Sequence, residues 1–174
     1  MATAADALID PERAFLGCLL HLPATLARRV LAGMRADDLA GALAAPALQL
    51  VIELVAAGTA PAPVAVYAHA VATGRAAGEK RREWLSGWLI DTYRDAPPPA
   101  LADHLKTVVL EAAWRRALLV HAHRIEQAID TTDTAALREL ADDGHAGAAE
   151  LWSRYQAALG DSQSDISSAL EVAA

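Results

Sequence analysis

The stretch from Ala100 to about Ile129 predicts one helix of roughly 30 residues, far longer than the mean of about 11–12. It carries two apolar rows at helical spacing, where a helix with one packing partner needs only one. The first row holds Leu101, Leu105, Val108, Ala112, Leu119 and Ala122, and the second holds Leu110, Trp114, Leu118, Ile125 and Ile129. The second row therefore indicates a second neighbour, such as another protomer.

A second long helix is predicted to follow after a tight turn. Residues 130–133 supply the turn, and apolar residues then recur at helical spacing from Thr134 to about Leu159. Two long helices joined in this way predict an antiparallel hairpin. Gly144 and Gly147 in the second helix would allow a close approach of the helices or a kink.

The part of the chain before the hairpin predicts a globular head of short helices, over residues 10–94. Asp10 and Pro11 begin the first helix, since Asp can accept a bond from a free backbone N–H and Pro suits the first helical position. Gly58 and Gly74 each end a later helix, because glycine tolerates the left-handed backbone of a helix stop.

A proline-rich break separates the head from the hairpin and gives the domain boundaries. Asp95-Ala96-Pro97-Pro98-Pro99 is the best internal boundary, so the break and hairpin are predicted over residues 95–159. Residues 1–9 are predicted to be a flexible N-terminus, and residues 160–174 a linker or disordered tail. The predicted fold is all-α, a head of short helices followed by a long antiparallel hairpin.

Charge and composition exclude several classes of protein. The net charge of -7 argues against a duplex-binding surface and makes direct nucleic-acid binding an unfavoured expectation, while contact with single-stranded DNA stays open. The basic run at Lys80–Arg82 is read most simply as a solvated helix start. The single cysteine, Cys18, lies in an apolar run and predicts a small core residue in a reducing compartment. No stretch resembles a membrane span or a signal peptide, so we expect a cytoplasmic protein.

No motif for catalysis, cofactor binding or metal binding is recognised. The string from Gly74 to Lys80 departs from a phosphate-binding loop in its spacing and does not follow a strand. His121 and His123 are two residues apart and so face different directions on a helix. We therefore expect neither an enzyme nor a cofactor or metal site.

The four tryptophans, Trp84, Trp88, Trp114 and Trp152, are predicted to be core residues or hairpin anchors. Trp114 has a second interpretation as part of a docking site, because tryptophan and arginine are enriched at interaction hot spots. The candidate interface comprises Leu110, Trp114, Arg115, Arg116, Leu118 and Ile125.

The order of these features resembles the N-terminal domain of DnaB-type replicative DNA helicases. The resemblance runs from Glu12 to Gly74 and again from about Leu101 to Ala128. No single motif is specific, and the resemblance depends on their order and spacing. The residues that carry it are Glu12, Leu16, Gly17, Leu20, Asp38, Leu39, Gly58, Gly74, Glu111 and Arg116.

This resemblance implies a non-catalytic interaction and oligomerisation module of DNA replication. It implies self-association through the residues after Pro99, as a dimer or higher oligomer, and binding to primase or the replicative helicase. The helicase motor is missing, so the chain is either a fragment or a free-standing relative. Two alternatives stay open: a plasmid- or phage-like regulator that mimics the helicase collar and inhibits host primase or helicase, and the helicase-binding domain of a primase.

Overall fold

The computed structural model describes the backbone of residues 10–172 and the side chains of residues 10–161. The described backbone contains helices and no strands, which confirms the predicted all-α fold. It divides into two compact units, which we name the head unit (up to Val109) and the hairpin unit (from Leu110). The helices are α1 (Pro11–Leu20), α2 (Ala24–Leu31), α3 (Ala44–Ala56), α4 (Pro63–Ala72), α5 (Glu79–Arg94), α6 (Ala102–Ala128) and α7 (Thr134–Val172).

Helix α1 lies at the centre of the head unit. It begins as predicted, with the Asp10 carboxylate accepting a hydrogen bond from the Glu12 backbone N–H at 3.0 Å and with Pro11 in the first turn. Every residue from Phe15 to Leu20 is buried. Helices α3 and α5 both pack against α1, α4 packs against both α3 and α5, and α2 packs against α3. The core of the head unit therefore forms around α1.

The acidic turn after α2 is held by two carboxylates. The Glu12 side chain accepts hydrogen bonds at 2.9 Å from the backbone N–H groups of Ala40 and Gly41. The Asp38 side chain, which is buried, accepts one at 2.7 Å from the N–H of Arg35. Unpaired backbone donors are costly when buried. These acidic residues thus fix the path of a turn that has little regular structure.

Glu53 on α3 joins three segments of the head unit. Arg75 makes a bidentate pair with its carboxylate at 2.7 and 2.9 Å, and His69 Nε2 and Gln49 Nε2 lie 2.7 and 2.8 Å from its oxygens. The hydrogen bonds from Arg75, then those from Gln49 and His69, lower the pKa of Glu53 from 4.5 to about 2. The Arg75, Gln49 and His69 side chains thus stabilise the ionised form of Glu53.

The pKa of Glu53 predicts a loss of stability in acid. Because the pKa is lower in the folded state, the stabilisation is fully present above about pH 4.5 and is lost as the pH falls towards 2. The side chain is 27% exposed, so we expect a contribution of about 1 kcal/mol. Chemical unfolding of the wild type and of Glu53→Gln should show this difference near neutral pH and a shrinking one below pH 4.5. A difference that stays constant down to about pH 2.5 would contradict the assignment.

The proline-rich break packs onto the head unit. The Cys18 thiol, which is buried as predicted, lies 3.6 Å from the carbonyl oxygens of both Pro97 and Pro98. Burial raises the pKa of Cys18 to about 11, so the thiol stays protonated at neutral pH. The short 3₁₀ turn Pro99–Leu101 also packs against α1.

The first turns of α6 belong to the head unit as well. Lys106 Nζ donates a hydrogen bond at 2.8 Å to the carbonyl of Ala32, and Arg29 lies 3.4 Å from the Asp103 carboxylate. The head unit thus extends past the proline-rich break and ends at Val109. The proline segment itself is held against α1.

The tryptophans do not all lie where the sequence predicted. Trp84 on α5 is 51% exposed, so the interpretation of this residue as a core or hairpin residue is wrong. An apolar side chain at helical spacing does not show whether another helix covers it. Trp114 and Trp152 do anchor the hairpin, since their ring centroids lie 4.8 Å apart, and Tyr155 lies 5.3 Å from Trp152.

The hairpin unit contains the rest of α6, the turn and α7. The Asp133 carboxylate caps α7 by accepting hydrogen bonds at 3.0 Å from the N–H groups of Ala135 and Ala136. Helix α7 continues to Val172, beyond Leu159, where the sequence predicted its end and a linker or disordered tail. Gly160 does not end α7. Its φ is not positive, whereas a glycine that ends a helix adopts the left-handed conformation.

Two of the glycines of α7, Gly144 and Gly147, are predicted to respond oppositely to alanine. A Cβ at Gly144 would overlap the His121 ring on α6, whereas one at Gly147 would meet no atom within 4 Å. Gly147→Ala should therefore stabilise the helix by up to about 1 kcal/mol. Gly144→Ala should destabilise the chain, because the whole imidazole must move and overpacking typically costs about 1–3 kcal/mol. Thermal unfolding of both variants checks this, and stabilisation by Gly144→Ala would contradict the close approach of α6 and α7.

Candidate protein-interaction surface

The six residues predicted to form an interface lie on α6 but differ in exposure. Leu110 is fully buried within the protomer and is not available to a partner. Trp114 is half-buried and packs on Trp152, which supports the hairpin-anchor interpretation of this residue. Leu118 is 39% exposed and Ile125 is half-buried. The structure thus leaves the C-terminal part of the predicted set at the surface.

The two predicted arginines lie about one turn before Leu119, at the N-terminal end of this apolar surface. Arg115 donates two hydrogen bonds, of 3.0 and 2.6 Å, to the Glu111 carboxylate one turn earlier. Its side chain is 70% exposed, so the pair contributes little to stability. Arg116 is half-buried. The Glu111–Arg115 pair is local to α6 and does not by itself specify a partner.

An exposed apolar stripe runs along α6 in the hairpin unit. At about 100° per residue, its members fall within about 120° of the helix circumference. Leu119 is 72% exposed and Ile129 is 57% exposed, which is unusual for large aliphatic side chains next to other apolar residues. We name this surface the α6 stripe, and it consists of Leu118, Leu119, Ala122, Ile125 and Ile129.

Charged and polar side chains border the α6 stripe, and the exposed Glu126 lies within its arc, one turn from Ala122 and Ile129. The Glu111–Arg115 pair precedes it on the same helix, and His123 Nδ1 lies 3.3 Å from the Glu126 carboxylate further along. An apolar centre with a polar, exposed rim is the usual composition of a protein–protein interface. The arrangement can exclude water from its centre on association while its edges stay solvated.

The α6 stripe combines residues from the two apolar rows that the sequence predicted. Leu119 and Ala122 belong to the first predicted row, and Leu118, Ile125 and Ile129 to the second. Helical periodicity separates the rows but does not reveal which part of each row α7 covers. The sequence did contain one indication of an uncovered apolar surface, the run Leu118-Leu119-Val120. Three consecutive apolar residues on a helix cannot all face one neighbouring helix.

Two further properties of the described residues bear on the site. Within residues 10–161, no group of three or more His, Cys, Asp or Glu side chains could hold a metal ion. The same part of the chain has no helix that is both long enough and apolar enough to cross a bilayer.

Comparison with known proteins identifies the fold. No protein family matches the chain by its sequence profile, and no curated protein matches it. Among solved structures, the chain is similar to the crystal structure of the N-terminal domain of DnaB helicase from Mycobacterium tuberculosis. The TM-score is 0.69 at 21% sequence identity, over 79% of this chain and 94% of that one. The chain therefore has the fold of a DnaB helicase N-terminal domain, and the resemblance seen in the sequence is confirmed at the level of the fold.

Proposed function

We propose that this chain is a non-catalytic interaction module of DNA replication that self-associates through the α6 stripe. In this proposal two copies bury their stripes against each other, and the assembled chain binds primase or the replicative helicase. The observation that carries the proposal is the exposure of large aliphatic side chains along α6, with Leu119 at 72% and Ile129 at 57%.

The energetics favour burial of the stripe. Transfer of apolar surface from water contributes about 25 cal/mol for each Å² buried, or about 1.5–3 kcal/mol for a fully buried leucine or isoleucine side chain. In a symmetric dimer the same side chain is buried in both copies, so its free-energy contribution counts twice. Association must also offset the loss of translational and rotational freedom. The gain from apolar burial and the cost of association oppose each other, so we expect the contact to be reversible.

The fold supports the replication part of the proposal. The solved structure that the chain resembles is itself a helicase N-terminal domain, and it matches over 94% of its length. The non-catalytic part agrees with that similarity and with the sequence, in which no phosphate-binding loop is recognised. The protein's role is then to hold other proteins together, and any chemistry belongs to its partners.

Sedimentation velocity of the full chain tests the self-association. At tens of micromolar the chain should sediment as a dimer or larger species, and dilution should shift it towards the monomer. The contact is apolar, so the distribution should respond little to salt. A monomer alone at tens of micromolar would contradict self-association.

A further inference from the structure

A groove in the head unit lies apart from the α6 stripe and has its own chemistry. It is open to solvent, has a volume of about 510 Å³ and runs between α3 and α5. Its lining consists of Ala42, Leu43, Pro46, Ala47, Leu50, Ala70, Arg75, Arg81, Trp84 and Leu85. The groove is therefore apolar apart from two arginines, and no acidic residue lines it.

Two helices, α3 and α5, each line this groove with apolar side chains. On α3, Pro46, Ala47 and Leu50 lie within about one turn of each other, and on α5 Trp84 and Leu85 do the same. Ala47 and Leu50 are buried and form the floor with Ala70 of α4, whereas Trp84 stands half-exposed at the wall. A trough between two helices with an aromatic side chain at its edge is the shape that accepts a third, amphipathic helix.

The arginines at the groove indicate which charge a partner would carry. Arg75 is already paired with Glu53 through bonds of 2.7 and 2.9 Å, which fixes its guanidinium at the groove. Arg81 is exposed, and no acidic side chain in the described part of the chain pairs with it. Lys80 precedes it in the same helical turn, and the exposed Glu79 and Glu83 lie on either side. Residues 79–83 carry three cationic and two acidic side chains, a net charge of +1, which on a protein with net charge -7 favours a partner that carries carboxylates there.

We propose that this groove binds an acidic amphipathic helix of a partner protein. Leucine-type side chains of that helix contact Leu50, Leu85 and Trp84, and its carboxylates bind Arg81. The proposal rests on the proposed function in that it gives the chemistry of a partner. It does not depend on the α6 stripe, because every residue that forms the groove lies in the head unit.

The adjacent groove between α4 and α5 serves as a contrast. It is lined by Pro63, Val64, Tyr67, Ser86, Leu89 and Ile90, and has a volume of about 310 Å³. Its lining contains no charged side chain, so it does not specify the chemistry of any partner. Charge is what distinguishes the groove between α3 and α5.

Fluorescence anisotropy with two labelled helical peptides of about 15 residues tests the proposal. The peptides share one leucine face and differ only in their flanking residues, which are glutamate in one and lysine in the other. The acidic peptide should bind the full chain saturably, and the lysine peptide should not. Arg81→Glu should weaken binding about tenfold, the loss of one favourable charge contact. Trp84→Ala should weaken it about 30-fold, as expected of an interface hot spot.

A matched control separates the groove from general charge effects. Arg138→Glu makes the same change in net charge on the hairpin unit, at a side chain that is 85% exposed, and should leave binding unchanged. Equal binding of both peptides, no saturable binding, or equal weakening by Arg138→Glu and Arg81→Glu would overturn the proposal. If Trp84→Ala instead altered the sedimentation of the chain alone, the groove would be a contact between copies and the partner assignment would be wrong. Peptide binding and sedimentation are separate readouts, so failure of this proposal and failure of self-association are distinguishable.

Discussion

Replacing Gly17 with alanine is expected to lower the free energy of unfolding by up to about 2 kcal/mol. A Cβ at Gly17 would lie 2.8 Å from both the backbone oxygen of Thr92 and the Cβ of Ala96. A backbone oxygen cannot turn away as a side chain can, so α1 and the end of α5 must separate. Overpacking of this kind costs about 1–3 kcal/mol, and the better helix propensity of alanine offsets only part of it.

The control for Gly17 is a second helical glycine of the head unit. Gly87 lies inside α5, and a Cβ there would meet no atom within 4 Å. Gly87→Ala should therefore stabilise the chain by up to about 1 kcal/mol. Urea unfolding followed by circular dichroism measures both variants against the wild type. If Gly17→Ala were as stable as Gly87→Ala, the close packing of α1 on α5 would not exist in solution.

Replacing Leu119 with glutamate is expected to abolish self-association. Leu119 is the most exposed large side chain of the α6 stripe, and a carboxylate there would have to lose its hydration when two copies associate. The change occurs in both copies of a symmetric dimer. A penalty of about 3 kcal/mol raises the dissociation constant by roughly 100-fold.

The neighbouring residue supplies a matched control for this prediction. Val120 is 50% exposed but lies about 100° further round α6, outside the stripe. Val120→Glu introduces the same charge one position away and should leave the dimer intact. Sedimentation velocity at tens of micromolar compares the two variants. Dissociation by both, or by neither, would show that the α6 stripe is not the contact.

Much of the fold could be predicted because glycine and proline mark the helix ends. Gly58 and Gly74 adopt positive φ at the ends of α3 and α4, as the sequence indicated. Asp10 and Pro11 begin α1 for the capping reasons that the sequence supplies. These signals are local, so they can be read without knowledge of the tertiary structure.

The candidate sites were less predictable because they depend on which helix faces are left uncovered. Trp84 was interpreted as a core or hairpin residue from its spacing, yet it lines an open groove. Leu119 was assigned to one apolar row and Ile129 to the other, although both lie on one exposed stripe. The packing of the proline-rich break could not be predicted either, because the partner of Pro97 and Pro98 lies on α1, about 80 residues earlier in the chain. Contacts over such sequence separations leave no periodic signal.

The most direct test of the central claim is affinity capture with the immobilised full chain from a lysate of its source organism. Mass spectrometry should identify primase or the replicative helicase among the proteins enriched over a bait-free control. Their recovery would support the proposed role as a replication interaction module. Recovery of neither protein, together with enrichment of an unrelated partner, would contradict that role and leave only the fold in common with the helicase domain.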